Sequence, residues 1–147
     1  LAAKIGGASG RDSKPYDVRV PPSKGQKGHA VELKTMVDND NSKITMKRSA
    51  MERKAAHEKE TGETFHTVVY DDRKVYNAKG PGKHGDDGQR TILYRRGAGS
   101  FRTGAMHVVK DHDELKQLMN TPTNKLPPAA QPTAQWQGMQ QAARKGQ

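Results

Sequence analysis

The stretch PYDVRVPPSKGQKGHAVELKT, Pro15 to Thr35, decides how the rest of the chain is read. Tyr16–Val20 alternates in polarity and is predicted as a strand that Pro21-Pro22 ends. SKGQKG has the composition of a hairpin connection, and His29–Val37 is predicted as the second strand. Side chains two apart share a strand face, so Val31, Leu33, Thr35 and Val37 form one face and Ala30, Glu32, Lys34 and Met36 the other. The first face is expected in the core. Glu32 and Lys34 are expected together on an open face.

Outward from this pair, LAAKI reads as the end of a helix stopped by Gly6-Gly7, followed by a Ser/Gly/Asp loop. DNDNSK reads as a loop. Met46–Thr61 carries Met46, Ala50, Met51, Ala55 and Ala56 on one stripe and is predicted as an amphipathic helix stopped by Gly62. TFHTVVY is predicted as a strand, KVYNA as a further short one, and KGPGKHGDDGQ as a mobile loop. TILYRRG is another strand and SFRTGAMHVV extends the sheet, before Asp111 or Asp113 caps a short helix through Leu115, Leu118 and Met119. This order predicts an α+β (α/β) fold, a mixed central β-sheet flanked by helices. The domain is expected over 1–119. Residues 120–147 hold four of the eight prolines and six glutamines, which predicts a flexible tail or linker with Trp136 isolated in it.

The chain of 147 residues has no cysteine, which excludes disulfide frameworks and thiolate metal sites. No apolar run reaches the roughly 18 residues that span a bilayer, and no secretion signal is visible, so no membrane partner is expected and a cytoplasmic location is. The chain begins with Leu1, which leads to the expectation of a piece of a longer protein. A net charge of +10 points to a polyanionic partner, most simply nucleic acid, against the plainer reading of a solvated basic surface.

A hairpin would bring Asp17 beside Glu32. Two adjacent carboxylates repel, and a divalent cation removes the conflict. Mg²⁺ takes one or two carboxylates and keeps its other positions for water and phosphate oxygens. Lys34 would then orient the attacking water or stabilise charge on the phosphate. Asp17, Glu32 and Lys34 are thus the parts that metal-assisted phosphodiester hydrolysis needs, with Mg²⁺ or Mn²⁺ as cofactor. The alternative is a salt-bridged strand face pointing into water.

PYD (Pro15–Asp17) followed by VELK (Val31–Lys34) resembles the bipartite signature of the PD-(D/E)XK nuclease superfamily, and the helix and FHTVVYD strand that follow fit its order. The resemblance covers roughly residues 1 to 72. It implies a restriction-endonuclease-like core, Asp17 and Glu32 as metal ligands with the Leu33 carbonyl, Lys34 as the catalytic lysine, and DNA as substrate. Tyr16 separates the proline and aspartate that the family often has adjacent, and LAAKI lacks the helix glutamate of many members, which would lie upstream of Leu1 or be missing. VELKTMVDNDNSKITM, HTVVYDDR and YRRGAGSFRTGAM also resemble a C-terminal module of some phage minor head (head-morphogenesis) proteins. That resemblance implies a virion-associated domain with other head proteins as partners, and allows a catalytically degenerate, DNA-binding or structural role.

LYRRGAGSFR sets Arg95, Arg96 and Arg102 around a Gly-Ala-Gly-Ser turn, read either as a hairpin that grips a phosphate backbone or as a turn with solvated arginines. In the resembled family the Met46–Thr61 helix lies beside the active site, which adds Arg48 or Lys47 as a DNA contact; the other reading is a solvated helix face. His29, His57, His66, His84, His107 and His112 show no metal-ligand spacing. His29 and His66, in strands near the proposed site, leave open a metal-independent ribonuclease using a histidine pair as acid and base.

Overall fold

A computed structural model describes residues 1–10, 14–37, 42–73 and 91–146. The predicted KVYNA strand, the KGPGKHGDDGQ loop with His84, and most of DNDNSK lie outside these residues. The described residues form an α+β fold around a six-stranded mixed sheet. Helix α1 (Ala2–Ile5) leads into β1 (Ala8–Ser9), β2 (Val18–Val20) and β3 (His29–Met36). After β4 (Lys43–Ile44), helix α2 (Arg48–Thr61) crosses over to β5 (Thr64–Asp71). Then come β6 (Thr91–Arg96), β7 (Phe101–Arg102), β8 (His107–Val109), α3 (His112–Met119) and α4 (Ala134–Lys145). The sheet order is β1-β2-β3-β5-β6-β8, and β4 and β7 form a separate ribbon. Among the described strands of the main sheet only β3 and β5 run parallel, joined by α2 as a parallel pair requires.

Being central, β3 and β5 are covered on both faces. On one face Val31, Val68, Tyr70 and Tyr94 pack with Ile5 of α1 and with Leu115 and Met119 of α3. On the other, Ala30 and Phe65 pack under Ala55 of α2 and Trp136 of α4, while Met36, Val69 and Leu93 pack under Ile44 and Phe101 of the ribbon. The face that the alternation left open is therefore largely a second core. The opposite alternation also ends early: Val31 is buried, but β3 stops at Met36 and Val37 is 53% exposed.

Helix ends follow local chemistry. Gly62 closes α2 at φ +74, a left-handed conformation that costs glycine little. Asp111 caps α3 by accepting from the Glu114 amide.

The segment after Asn120 corrects the expectation of a loose tail. Leu126, Ala130 and Trp136 are all buried, and α4 packs along α2. Pro127 caps and Pro128 opens a short 3₁₀ turn over Pro128–Ala130 here, rather than a solvated linker. The receiving surface for Trp136 is Gly97, where a Cβ would come within 2.7 Å of the indole Cγ. The Gly-Ala-Gly-Ser turn is thus a packing surface, with Ala98 buried beneath the indole.

Candidate functional site

Asp17, immediately before β2, and Glu32, in the middle of β3, are brought side by side by the β2–β3 register. The Asp17 amide donates to the Val31 carbonyl at 2.9 Å. The Leu33 amide in turn donates to Asp17 Oδ2 at 2.8 Å. A strand residue exchanges its N–H and C=O with the same neighbour, so the Leu33 carbonyl also leaves on the Asp17 edge of β3. Burial raises the Glu32 pKa, and the neighbouring Asp17 carboxyl raises it further, against the lowering effect of Lys54. The pair sits at the electrostatic conflict that the hairpin reading anticipated.

Lys54, on α2, belongs to the basic run that the sequence reading gave to a solvated helix face, and the structure places it at this site instead. Its Nζ lies 3.4 Å from Glu32 Oε1 and donates to the Pro15 carbonyl at 2.8 Å. It also stands 5.5 Å from the Phe65 ring centroid. The signal was there: Lys54 follows Met51 by three residues, which puts it on the apolar stripe rather than the solvated face. A lysine buried on that stripe needs a partner, and Glu32 with the Pro15 carbonyl supplies it.

Lys34 is exposed, on the same face of β3 as Glu32. Both line a cleft of about 260 Å³ with Lys43, Ile44 and Met46 of the ribbon segment and Thr67 of β5. Thr67 lies opposite Glu32 in register and donates its hydroxyl to the Gly97 carbonyl. Asp17, Glu32, Leu33 and Lys34 are therefore brought together.

The arginines divide. Arg102 is exposed on the ribbon, opposite Lys43 in register. Arg48 is exposed near the start of α2 and pairs with Glu52 at 3.2 Å. Arg95 and Arg96, read as backbone-gripping side chains, are turned inward instead. Arg95 donates to the carbonyls of Gln131 and Ala105 and stacks over Phe101. Arg96, 5% exposed, donates to the Tyr94 hydroxyl, to the carbonyls of Leu118, Met119 and Thr121, and to the Thr123 hydroxyl. Each ties the C-terminal segment to β6, a role that the one-dimensional pattern of Arg-Arg-Gly does not reveal.

The two strand histidines lie on the opposite sheet face from Glu32, in a buried ladder. Arg96 Nε can only donate, so the Tyr94 hydroxyl accepts from it and donates its own proton to His66 Nδ1, 2.6 Å away. His66 Nε2 then donates to His29 Nδ1 at 2.9 Å, and His29 Nε2 to Asn120 Oδ1 at 3.0 Å. The order assigns both tautomers and leaves both rings neutral, since an added proton would set N–H against N–H. Burial, then the charges of His29 and Arg96, holds the His66 pKa well below the usual histidine range. Burial also lowers that of His29, which the Asn120 hydrogen bond partly restores. His66, at 0% exposure and with both ring nitrogens engaged, has no substrate access for acid–base chemistry, while His29 lines a cleft at the N-terminal end of β3.

For a divalent ion, the donor set fits in kind: two carboxylates in conflict and a carbonyl, all hard oxygens. Among the described residues no group of three or more His, Cys, Asp or Glu side chains forms a metal cluster. Among the described residues, no helix is long and apolar enough to cross a membrane. No family model, curated protein or solved structure matches the chain.

Proposed function

We propose that the chain is a divalent-metal-dependent nuclease of PD-(D/E)XK type that hydrolyses DNA phosphodiester bonds without sequence preference. The observation that carries this reading is the Asp17–Glu32 carboxyl pair, with Lys34 beside Glu32 on the same strand face. The element order α1, β1, β2, β3, β4, α2, β5, with β3 and β5 parallel in the main sheet and the two-residue β4 outside it, supports it, because the main-sheet elements follow the helix–strand–helix–strand course of the resembled superfamily. Asp17, Glu32 and the Leu33 carbonyl would hold Mg²⁺ or Mn²⁺. Bound there, the ion would supply Lewis-acid polarisation of the scissile phosphate and an acidified water.

The chain's own residues do the rest. Lys34, an exposed cation at the cleft, orients the water and offsets charge that builds on the phosphate. Lys54 keeps Glu32 and the Pro15–Asp17 segment that leads into β2 in place from beneath. Arg48 and Arg102 remain as exposed contacts for the DNA backbone.

The test is cleavage of plasmid and linear DNA, and of RNA, with Mg²⁺, with Mn²⁺ and with a chelator. Glu32→Gln and Lys34→Ala are each expected to lower metal-dependent DNA cleavage by about 10²-fold or more while the fold persists. Cleavage that survives both substitutions, or that needs no metal, would overturn the assignment. DNA binding with no cleavage under any metal would favour the degenerate phage-module reading, which the lack of an acid on α1 motivates.

A further inference from the structure

Arg96 raises a question that its hydrogen bonds do not answer. Its partners are hydroxyls and carbonyls, all neutral, and none is a carboxylate. Tyr94, the one acidic group among them, is pushed up to about 12 chiefly by burial and carries no charge near neutral pH. A guanidinium 5% exposed is thus saturated with hydrogen bonds but has no counter-charge from the side chains that hold it. An uncompensated buried charge is costly, and a nearby anion relieves it.

Space for one lies beside it. Two clefts, of about 340 and about 530 Å³, meet across Lys27, Thr64, Arg96 and Thr123 at the N-terminal ends of β3 and β5. Lys59 and Arg144, from the ends of α2 and α4, line the same opening. Among the described residues Lys27, Lys59 and Arg144 have no ion-pair partner. The two acids on the lining are already engaged. Glu63 is buried, yet hydrogen bonds from Arg19 and His57 keep its pKa below the ordinary value. Glu58 accepts from the Phe65 amide and from Gln140. Thr123 accepts from Arg96, which leaves its own proton for an acceptor in the cleft.

We propose that this cleft, floored by Arg96 and rimmed by Lys27, Lys59 and Arg144, binds a phosphate group, and that its natural source is a nucleic-acid backbone. Phosphate offers the charge that Arg96 lacks and the acceptors that the lysines and threonine hydroxyls need. The net charge of +10 makes a phosphodiester chain the plainest supplier. The proposal does not depend on catalysis at Glu32, which lies further along β3 on the α2 side.

Binding of a labelled DNA duplex is measured against salt in a chelator, so that the carboxyl centre and its metal do not contribute. Lys59→Ala combined with Arg144→Ala is expected to flatten the slope of log affinity on log salt by about two, one for each phosphate that is no longer neutralised. Lys110→Ala combined with Lys125→Ala, two exposed lysines outside the cleft, serves as the control and is expected to leave the slope nearly unchanged. Melting curves verify that both pairs fold. Equal slopes for the two pairs would overturn the nucleic-acid assignment, because the cleft would then be no more than part of a diffuse positive surface. Inorganic phosphate distinguishes the sources: a rise in melting temperature that the cleft pair abolishes, without any effect on DNA binding, assigns the site to a free phosphate and also overturns the backbone reading. Failure of the nuclease reading leaves the result intact, since binding in chelator is read without metal and without cleavage.

Discussion

Acidification from about pH 7.5 to about pH 5.5 should destabilise the fold through the His66–His29 ladder. In the unfolded chain both histidines titrate near 6.5. In the folded chain both pKa values lie lower, that of His66 far lower, chiefly because burial disfavours the charged ring. Below about 6.5 the unfolded chain therefore binds more protons than the folded one. Stability is complete above that value and declines as pH falls toward the folded pKa values. Each histidine contributes up to about 1.4 kcal/mol per pH unit, so the pair removes roughly 1.5 to 3 kcal/mol by about pH 5.5, against about 5–15 kcal/mol in total. Glu32, raised by burial, acts with the opposite sign. Glu63, held low, loses its contribution only in the acidic carboxylate range. Urea unfolding followed by the fluorescence of Trp136, the single tryptophan and fully buried, reads the change as a shift of midpoint at constant slope. In His66→Leu the pH dependence should fall by about half or more, since the deeper of the two shifts is gone. A midpoint that stays flat over this range, or a pH dependence unchanged in His66→Leu, would refute the neutral ladder.

Three stability predictions are read by urea unfolding followed by far-ultraviolet circular dichroism, which does not depend on Trp136. Trp136→Ala should cost about 3–5 kcal/mol, the range for an emptied aromatic core site, whereas a loss under about 1 kcal/mol would mean that α4 does not hold the fold. Gly97→Ala should cost at least about 2 kcal/mol, because its φ of +85 disfavours a side chain and its Cβ would strike the indole; an unchanged midpoint would contradict that contact. Arg73→Met leaves the Asp71 carboxylate, 0% exposed and now paired at 2.6 Å, without its cation, and should cost about 3–5 kcal/mol.

Much of the site was legible before any coordinates, and the reason is local. Glu32 and Lys34 share a face because strand periodicity is two, whatever surrounds the strand. Asp17 reaches Glu32 because a hairpin sets its register: Val18 lies opposite Val31, which leaves Asp17 beside Glu32. Helix α2 announced itself by its apolar stripe and by Gly62. Lys54 escaped because its long charged side chain reads as solvated unless its place on the stripe is weighed against its charge. The arginines misled for the opposite reason. Arg95 and Arg96 adjoin a glycine-rich turn that looks like a phosphate loop, and only the approach of residues 118–131 turns them inward.

Short-range pattern was enough for the α+β class, the β2–β3 pair and the Asp17–Glu32–Lys34 set, because hairpin register and strand alternation are decided within some twenty residues. Tertiary packing alone decided the fate of the C-terminal segment. A run rich in proline and glutamine has too few apolar residues to order itself. It orders here because Trp136 finds a bare glycine to lie against, and because Arg95 and Arg96 take up the carbonyls that its turns leave without partners.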